Sequence, residues 1–114
     1  MPKNDLNTAI ITFVDAVSRQ DDRFRLAVLY GSQARGDAAA NSDVDVAVIL
    51  AGTGDRLEAK LALADLAYDV LLDTGVLISP MPVWEAEWAD PERHPNPQLV
   101  RNIQQDGKLV AGRE

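Results

Sequence analysis

Apolar side chains recur at helical spacing near the start of the chain, and a short apolar run follows them. The helical stripe, over about residues 6–20, consists of Ile10, Phe13, Val14 and Val17, behind polar residues that can cap its start. The next apolar run, residues 26–30, ends directly at Gly31 and Ser32. This pattern predicts an amphipathic first helix and then a buried strand that enters a tight turn.

Alternation of side chains predicts a second strand over residues 43–50. One face carries Val44, Val46, Val48 and Leu50, and the other carries Asp43, Asp45, Ala47 and Ile49. Asp55 and Glu58 then form a start resembling a capping box for a second helix, which we expect to end near residues 72–73 and to be closed by Gly75. The apolar positions expected to bring this helix against the core are Leu57, Leu61, Ala64, Tyr68 and Leu71.

The second half of the chain is rich in prolines and turns. It predicts, in order, a third strand over residues 76–79 ended by Pro80 and Pro82, an irregular acidic segment with one helical turn around Trp88, and a short last helix from Asn96 to Gly107. Trp84 and Trp88 either cover the protein's own core or form a helical dock for a partner. The mixture of elements predicts a single domain over residues 1–114 with an α+β fold, in which helices back a short mixed sheet.

Composition and charge narrow the classes of function. The 114 residues include no cysteine and one histidine, His94, which excludes disulfides and thiolate metal sites and argues against a Ser-His-Asp triad. The net charge of −7 disfavours direct binding to nucleic acid. The start of the chain has no uninterrupted apolar block, so we expect neither a signal peptide nor a membrane span. We therefore expect a cytoplasmic protein.

The candidate chemistry lies in one stretch: Gly31-Ser32, ten further residues, and then Asp43-Val44-Asp45. A glycine directly after a strand permits a positive φ and lets the backbone approach a phosphate, and Ser32 adds a hydroxyl. Because side chains alternate along a strand, Asp43 and Asp45 point the same way, with Cα atoms roughly 6 to 7 Å apart. Two such carboxylates can bind Mg²⁺ together with the phosphates of a nucleoside triphosphate. The alternative is an ordinary turn followed by the exposed edge of a strand.

The segment LYGSQARGDAAANSDVDVAVIL, with its Gly-Ser pair and its two aspartates, resembles the polymerase-beta-like nucleotidyltransferase superfamily. The Ala34-Arg35-Gly36-Asp37 continuation and the later TGVLISPMPVW are similar to the minimal nucleotidyltransferases (MNT), antitoxins paired with HEPN ribonuclease toxins. The resemblance implies that Gly31 and Ser32 bind the triphosphate of ATP and that Asp43 and Asp45 are catalytic magnesium ligands. Arg35 either reaches the triphosphate or the partner, or is a solvated loop residue.

The resemblance also implies a third carboxylate on a following strand, as a metal ligand or as a base. The strand predicted over residues 76–79 contains none. Asp69 could supply it only if residues 68–72 were extended, whereas its spacing from Glu58 and Asp65 is typical of a solvated helix face.

The leading hypothesis is therefore a Mg²⁺-dependent adenylyltransferase antitoxin that transfers AMP from ATP to a tyrosine of a HEPN toxin, as the resemblance implies. The alternative is a catalytically weak nucleotide-binding or protein-binding subunit that neutralises its partner by occlusion. An enzyme acting on a small molecule such as an aminoglycoside is a third alternative, and the short chain disfavours it. The sequence leaves both a homo-oligomer and a hetero-oligomer open.

Overall fold

The computed structural model describes residues 4–31 and 43–112, and capping residues bound two of its helices. The elements are α1 (Asn4–Gln20), β1 (Phe24–Tyr30), β2 (Val44–Leu50), α2 (Arg56–Thr74), β3 (Ile78–Trp84), α3 (Glu85–Ala89), a 3-10 turn (Pro91–Arg93), α4 (Pro97–Asp106) and β4 (Lys108–Gly112). Asp55 caps α2 by accepting the Glu58 N–H at 3.1 Å, and Gly75 closes it with φ of +77°. Asn96 caps α4 in the same way. The predicted capping residues of both helices are confirmed, and α2 extends one residue beyond its predicted end.

The four strands form one mixed sheet in the order β3-β2-β1-β4. β1 is antiparallel to β2 and to β4, and β2 is parallel to β3. The predicted combination of a short mixed sheet and helices that back it is confirmed.

Helices cover both faces of the sheet. The first face packs against α1 and α2, and its core includes Phe13, Val46, Val48 and Leu63. The second face carries Ala47 and Ile49 and packs against residues of α3 and α4, namely Trp88, Leu99 and Ile103. β2 lies inside the sheet, between the two helical layers. Its side chains therefore point alternately into the first core and into the second. Val44 lies in the first core, as the sequence predicts, and the parity of that strand places Asp45 on the second face.

The apolar face predicted to bring α2 against the core is wrong. Leu57, Leu61 and Tyr68 are about 60% exposed, whereas the side chains that contact the core are Ala59, Leu63, Ala67 and Val70. The helix has two apolar faces, and periodicity alone does not say which one is buried. The buried face alternates small and large side chains, and we infer that its alanines let α2 approach the sheet and α1 closely.

The third strand begins two residues later than predicted and continues five residues beyond its predicted end. β3 runs through Pro80 and Pro82, which pair in register with Val46 and Val48. Because β3 is an edge strand, prolines at alternate positions can direct their missing N–H toward the open side and leave the intervening amides for β2. The sequence also did not predict β4, whose five residues lie at the opposite edge.

A buried ion pair joins the start of α2 to α3, the helix that directly follows β3. The Glu87 carboxylate is buried, accepts the Trp84 N–H at 2.9 Å and pairs with the Arg56 guanidinium, which also donates to the Pro82 carbonyl at 3.2 Å. Burial would raise the pKa of Glu87, but hydrogen bonds from Arg56 and from the Trp84 amide, with the nearby charges of Arg56 and His94, hold it below its ordinary value. The contact fixes α2 relative to the edge strand.

The two tryptophans cover the core. Trp84 is 7% exposed and belongs to the first core, and Trp88 is half-buried against the second. Within the described part of the chain, no helix is both long enough and apolar enough to cross a bilayer.

Candidate functional site

The two aspartates lie where β1 ends and β2 begins. Tyr30, the last residue of β1, is paired with Asp45, the second residue of β2. Asp43 directly precedes β2 and is exposed, while Asp45 is half-buried. Strand parity places both carboxylates on the same side, with Val44 turned into the opposite core. The predicted pair is therefore brought together at one end of the sheet.

Gly31 packs directly against one of these carboxylates. Its φ is +74°, a conformation that side chains disfavour, and a Cβ atom there would lie 2.5 Å from Asp45 Oδ2. The sequence predicts a glycine here for the close approach of a phosphate. The structure adds a nearer reason, because any larger residue would displace the Asp45 carboxylate. Ser32 and Arg35, the other predicted nucleotide-binding residues, lie outside the described residues.

The negative charges of Asp43 and Asp45 are not neutralised by an ion pair within the described part of the protein. Burial and then the Asp43 charge raise the pKa of Asp45 above its ordinary value. Neither carboxylate has an ion pair with a residue in the ranges 4–31 and 43–112. Burial and the Asp45 charge likewise raise the pKa of the Tyr30 phenol to about 12, so it remains protonated. A half-buried carboxylate beside a second one favours a bound cation.

No third carboxylate joins the pair within the described residues, where no three acidic, histidine or cysteine side chains form a metal-binding group. Residues 68–72 are helical, so Asp69 lies on the exposed surface of α2 and cannot act as that ligand. The strand position next to Asp45 is Ser79, which pairs with it in the parallel register of β2 and β3. Partners in a parallel register share a face, so a hydroxyl lies where a carboxylate was expected.

Three residues near the pair were not singled out from the sequence: Tyr30, Ser79 and Lys60. Tyr30 and Ser79 flank Asp45 on its two neighbouring strands. Lys60 and Asp43 line one groove of about 250 Å³ between α2 and the start of β3. Strand alternation could have indicated Tyr30, which directly precedes Gly31. The other two depend on pairing between distant segments, which spacing alone does not reveal.

A second groove, of about 360 Å³, lies between α1 and β4. Its acidic residue is Asp15, which already pairs with Arg19 at 3.1 Å. This groove is larger than the one beside Asp43, but its one carboxylate is already in an ion pair, whereas Asp43 lies beside Asp45 and has no described ion-pair partner. The chemistry of the donor atoms therefore favours the end of the sheet at Asp43 and Asp45 as the functional site.

A comparison with protein-family models matched residues 14–114 to the nucleotidyltransferase domain of polymerase beta. The chain belongs to the polymerase beta nucleotidyltransferase family. The match includes β1, Gly31, Asp43 and Asp45, so the site described above lies inside the family domain. No protein of curated function matched this nucleotidyltransferase significantly in sequence.

Solved structures similar to this nucleotidyltransferase share its fold at low sequence identity. A toxin–antitoxin with AMP-PNP has a TM-score of 0.65 and 22% identity, over 95% of this chain and 74% of its own. A nucleotidyltransferase from Sulfolobus solfataricus has a TM-score of 0.59 and 17% identity, over 99% of this chain and 91% of its own. A tri-AMPylated HEPN toxin from Shewanella oneidensis in complex with MNT antitoxin has a TM-score of 0.56 and 18% identity, over 92% of this chain and 73% of its own.

Proposed function

We propose that this nucleotidyltransferase is a cytoplasmic MNT antitoxin, a single domain over residues 1–114, that transfers AMP from ATP to a tyrosine of a HEPN-family toxin. The observation that carries the proposal is the pair of same-facing carboxylates, Asp43 and Asp45, at the end of the sheet of a family domain, with Asp45 packed against Gly31. Two structural relatives support the substrates, since one was determined with AMP-PNP and another contains an AMPylated HEPN toxin.

The residues present fit Mg²⁺. Two oxygen ligands face one side, and neither forms an ion pair with a described residue. Burial and then the Asp43 charge raise the pKa of Asp45, and a divalent ion would relieve the repulsion between the two carboxylates. In this proposal Asp43 and Asp45 hold the ion, which would neutralise charge on the α-phosphate and on the leaving pyrophosphate. Gly31 keeps the backbone close to the phosphates, and Ser32 and Arg35 remain proposed contacts to the triphosphate.

The proposed reaction is an in-line displacement at the α-phosphorus of ATP. The tyrosine hydroxyl oxygen of the partner forms the new P–O bond, and the bond from the α-phosphorus to the bridging oxygen breaks. Pyrophosphate leaves with the electron pair of that bond. The hydroxyl proton passes to water, which can reach the site because Asp43 is exposed to solvent. Positioning and charge neutralisation supply most of the rate enhancement in such a transfer.

The proposal predicts a gene for a HEPN-family protein next to the gene for this chain, and the experiment uses that protein as the partner. We expect α-labelled ATP and Mg²⁺ to label that protein only when this chain is present, and mass spectrometry to place AMP on a tyrosine. γ-labelled ATP is the matched control and should leave the partner unlabelled, because pyrophosphate carries the label away. A HEPN protein whose mass is unchanged, or the absence of such a gene, would contradict the proposal.

The position of Ser79 favours a second candidate, an antitoxin that binds its partner and nucleotide but transfers AMP poorly. Without a carboxylate at this position, β3 supplies no base beside Asp45 that could accept the proton of the attacking hydroxyl. In that case occlusion of the partner, rather than its modification, neutralises it. This candidate predicts suppression of the toxin by a variant in which both Asp43 and Asp45 are asparagine.

Ser79→Asp separates the two candidates. The new carboxylate would face the same side as Asp45 and could accept the hydroxyl proton, so we expect AMP transfer to rise about tenfold or more. The isosteric control Ser79→Asn adds no base and should leave the rate unchanged or lower. Single-turnover transfer to the HEPN protein at saturating ATP measures the effect. An equal loss of rate in both variants would indicate instead that the Ser79 hydroxyl is itself required.

A further inference from the structure

The outward face of α2 carries a continuous row of apolar side chains. We call this row the α2 apolar row; its members are Leu57, Leu61, Ala64, Tyr68 and Leu72. At 100° per residue these positions fall within a stripe about 80° wide and about 22 Å long. The four large side chains are between 58% and 66% exposed. The opposite face of the same helix already contacts the core, so packing within the described chain does not account for this row.

Acidic residues border one flank of the α2 apolar row. Asp65, Asp69 and Asp73 follow one another at intervals of four residues, are all exposed, and form no ion pair with any residue in the described ranges. Like charges at this spacing weaken a helix by a few tenths of a kcal/mol per pair. The arrangement is complementary to a partner with basic residues. It disfavours a second copy of this chain, whose net charge is −7.

The other flank of the row leads to Asp43, one of the two carboxylates. Ala64 belongs to the α2 apolar row and also lines the groove of about 250 Å³ that contains Asp43, Lys60 and Ser79. Leu77, which is 45% exposed, lines the same groove and extends the apolar surface to the start of β3. A macromolecule bound to the row would therefore have a direct path along the surface to Asp43.

From this continuity and charge we infer that the α2 apolar row is the docking surface for the protein acceptor of AMP. The acceptor would place apolar side chains on the row and basic residues beside Asp65 and Asp69, and would present its hydroxyl to Asp43 through the groove. This inference rests on the proposed function for the identity of the acceptor. It adds the surface that selects that acceptor.

Leu61→Ala combined with Tyr68→Ala tests the apolar contact. Both side chains are exposed, so the fold should be retained, and we expect the dissociation constant for the HEPN protein to rise about thirtyfold or more. Leu109→Ala is the matched control, since Leu109 is 67% exposed but lies on β4, and it should change the constant less than twofold. Titration calorimetry measures affinity, and circular dichroism verifies the fold.

Charge reversal tests the acidic flank. Asp65→Lys combined with Asp69→Lys should weaken binding at least about tenfold at low salt, and the loss should shrink as salt is added. Asp106→Lys is the control, because Asp106 is exposed at the end of α4, which packs on the other face of the sheet. Affinities that none of these variants changes would overturn the inference.

The outcomes separate this inference from the proposed function. A variant with Asp43→Asn and Asp45→Asn should bind the HEPN protein within about threefold of the parent and label none of it. A parent chain that binds through the row but never labels its partner would overturn the transferase proposal and support the docking surface. Full labelling by the Leu61 and Tyr68 variant, or a homodimer that those substitutions dissociate, would overturn the docking surface.

Discussion

Replacement of Asp43 and Asp45 by asparagine is expected to lower AMP transfer at least about 1000-fold and to leave the metal-free fold at least as stable as the parent. Asparagine removes both charges that would hold Mg²⁺, so the charge on the transferred phosphate is no longer neutralised. The same change removes a repulsion, because burial and the Asp43 charge already raise the pKa of Asp45. The charged Asp45 side chain, which the proposed reaction needs, therefore lowers the stability of the metal-free fold.

Thermal unfolding measured in EDTA and in Mg²⁺ tests this pair of effects. Because the pKa of Asp45 is raised in the folded state, its ionisation costs the metal-free parent stability as pH rises from the ordinary value of 3.8 through the folded value. The variant lacks this loss, so its advantage should be largest near pH 7 and vanish at about pH 3. Mg²⁺ should raise the unfolding temperature of the parent alone.

A charge-matched control is available on exposed positions away from the site. Asp106→Asn combined with Glu85→Gln removes two negative charges from α4 and α3, and it should leave the response to Mg²⁺ and the transfer rate unchanged. If Mg²⁺ raised the unfolding temperature of the double Asp43 and Asp45 variant as much as that of the parent, the pair would be excluded as the metal site.

The fold could be predicted where a local rule decides the structure. The alternation over residues 43–50 separates the two faces of β2, and side chains at Asp55 and Asn96 cap their helices through contacts three residues away. These features depend on neighbours in sequence. The face of α2 that is buried, the continuation of β3 through Pro80 and the pairing of β4 depend on which distant element lies alongside. Periodicity and proline rules carry no information on that choice.

The candidate site divides in the same way. Asp43 and Asp45 are two apart on one strand, so their common direction follows from the chain itself. The position of Asp45 beside Gly31 follows from the pairing of β1 with β2, and strands that are consecutive in sequence commonly pair. Ser79 comes from a strand that begins more than thirty residues later, and its place next to Asp45 is set by the parallel register of β3. No short motif encodes that register.

Gly31→Ala is expected to lower AMP transfer about 100-fold or more and to destabilise the fold by about 1 to 2 kcal/mol. Part of the destabilisation is the cost of a side chain at a φ of +74°, which any non-glycine residue would bear. The loss of activity has a different cause: the added Cβ would lie 2.5 Å from Asp45 Oδ2 and would push that carboxylate away from its place beside Asp43. Small displacements of catalytic groups have large effects on rate.

Gly52→Ala separates these two causes. Gly52 has nearly the same φ, +79°, but no atom lies within 4 Å of the position its Cβ would take. It should therefore show a similar conformational cost in urea unfolding, with normal transfer of AMP and a normal response to Mg²⁺. If both alanine variants lost stability equally and Gly31→Ala retained the parent's rate, the contact between Gly31 and Asp45 would have no part in the reaction. A loss of both AMP transfer and the Mg²⁺ response that is confined to Gly31→Ala would mean that the first glycine after β1 fixes a metal-binding carboxylate as well as admitting a phosphate.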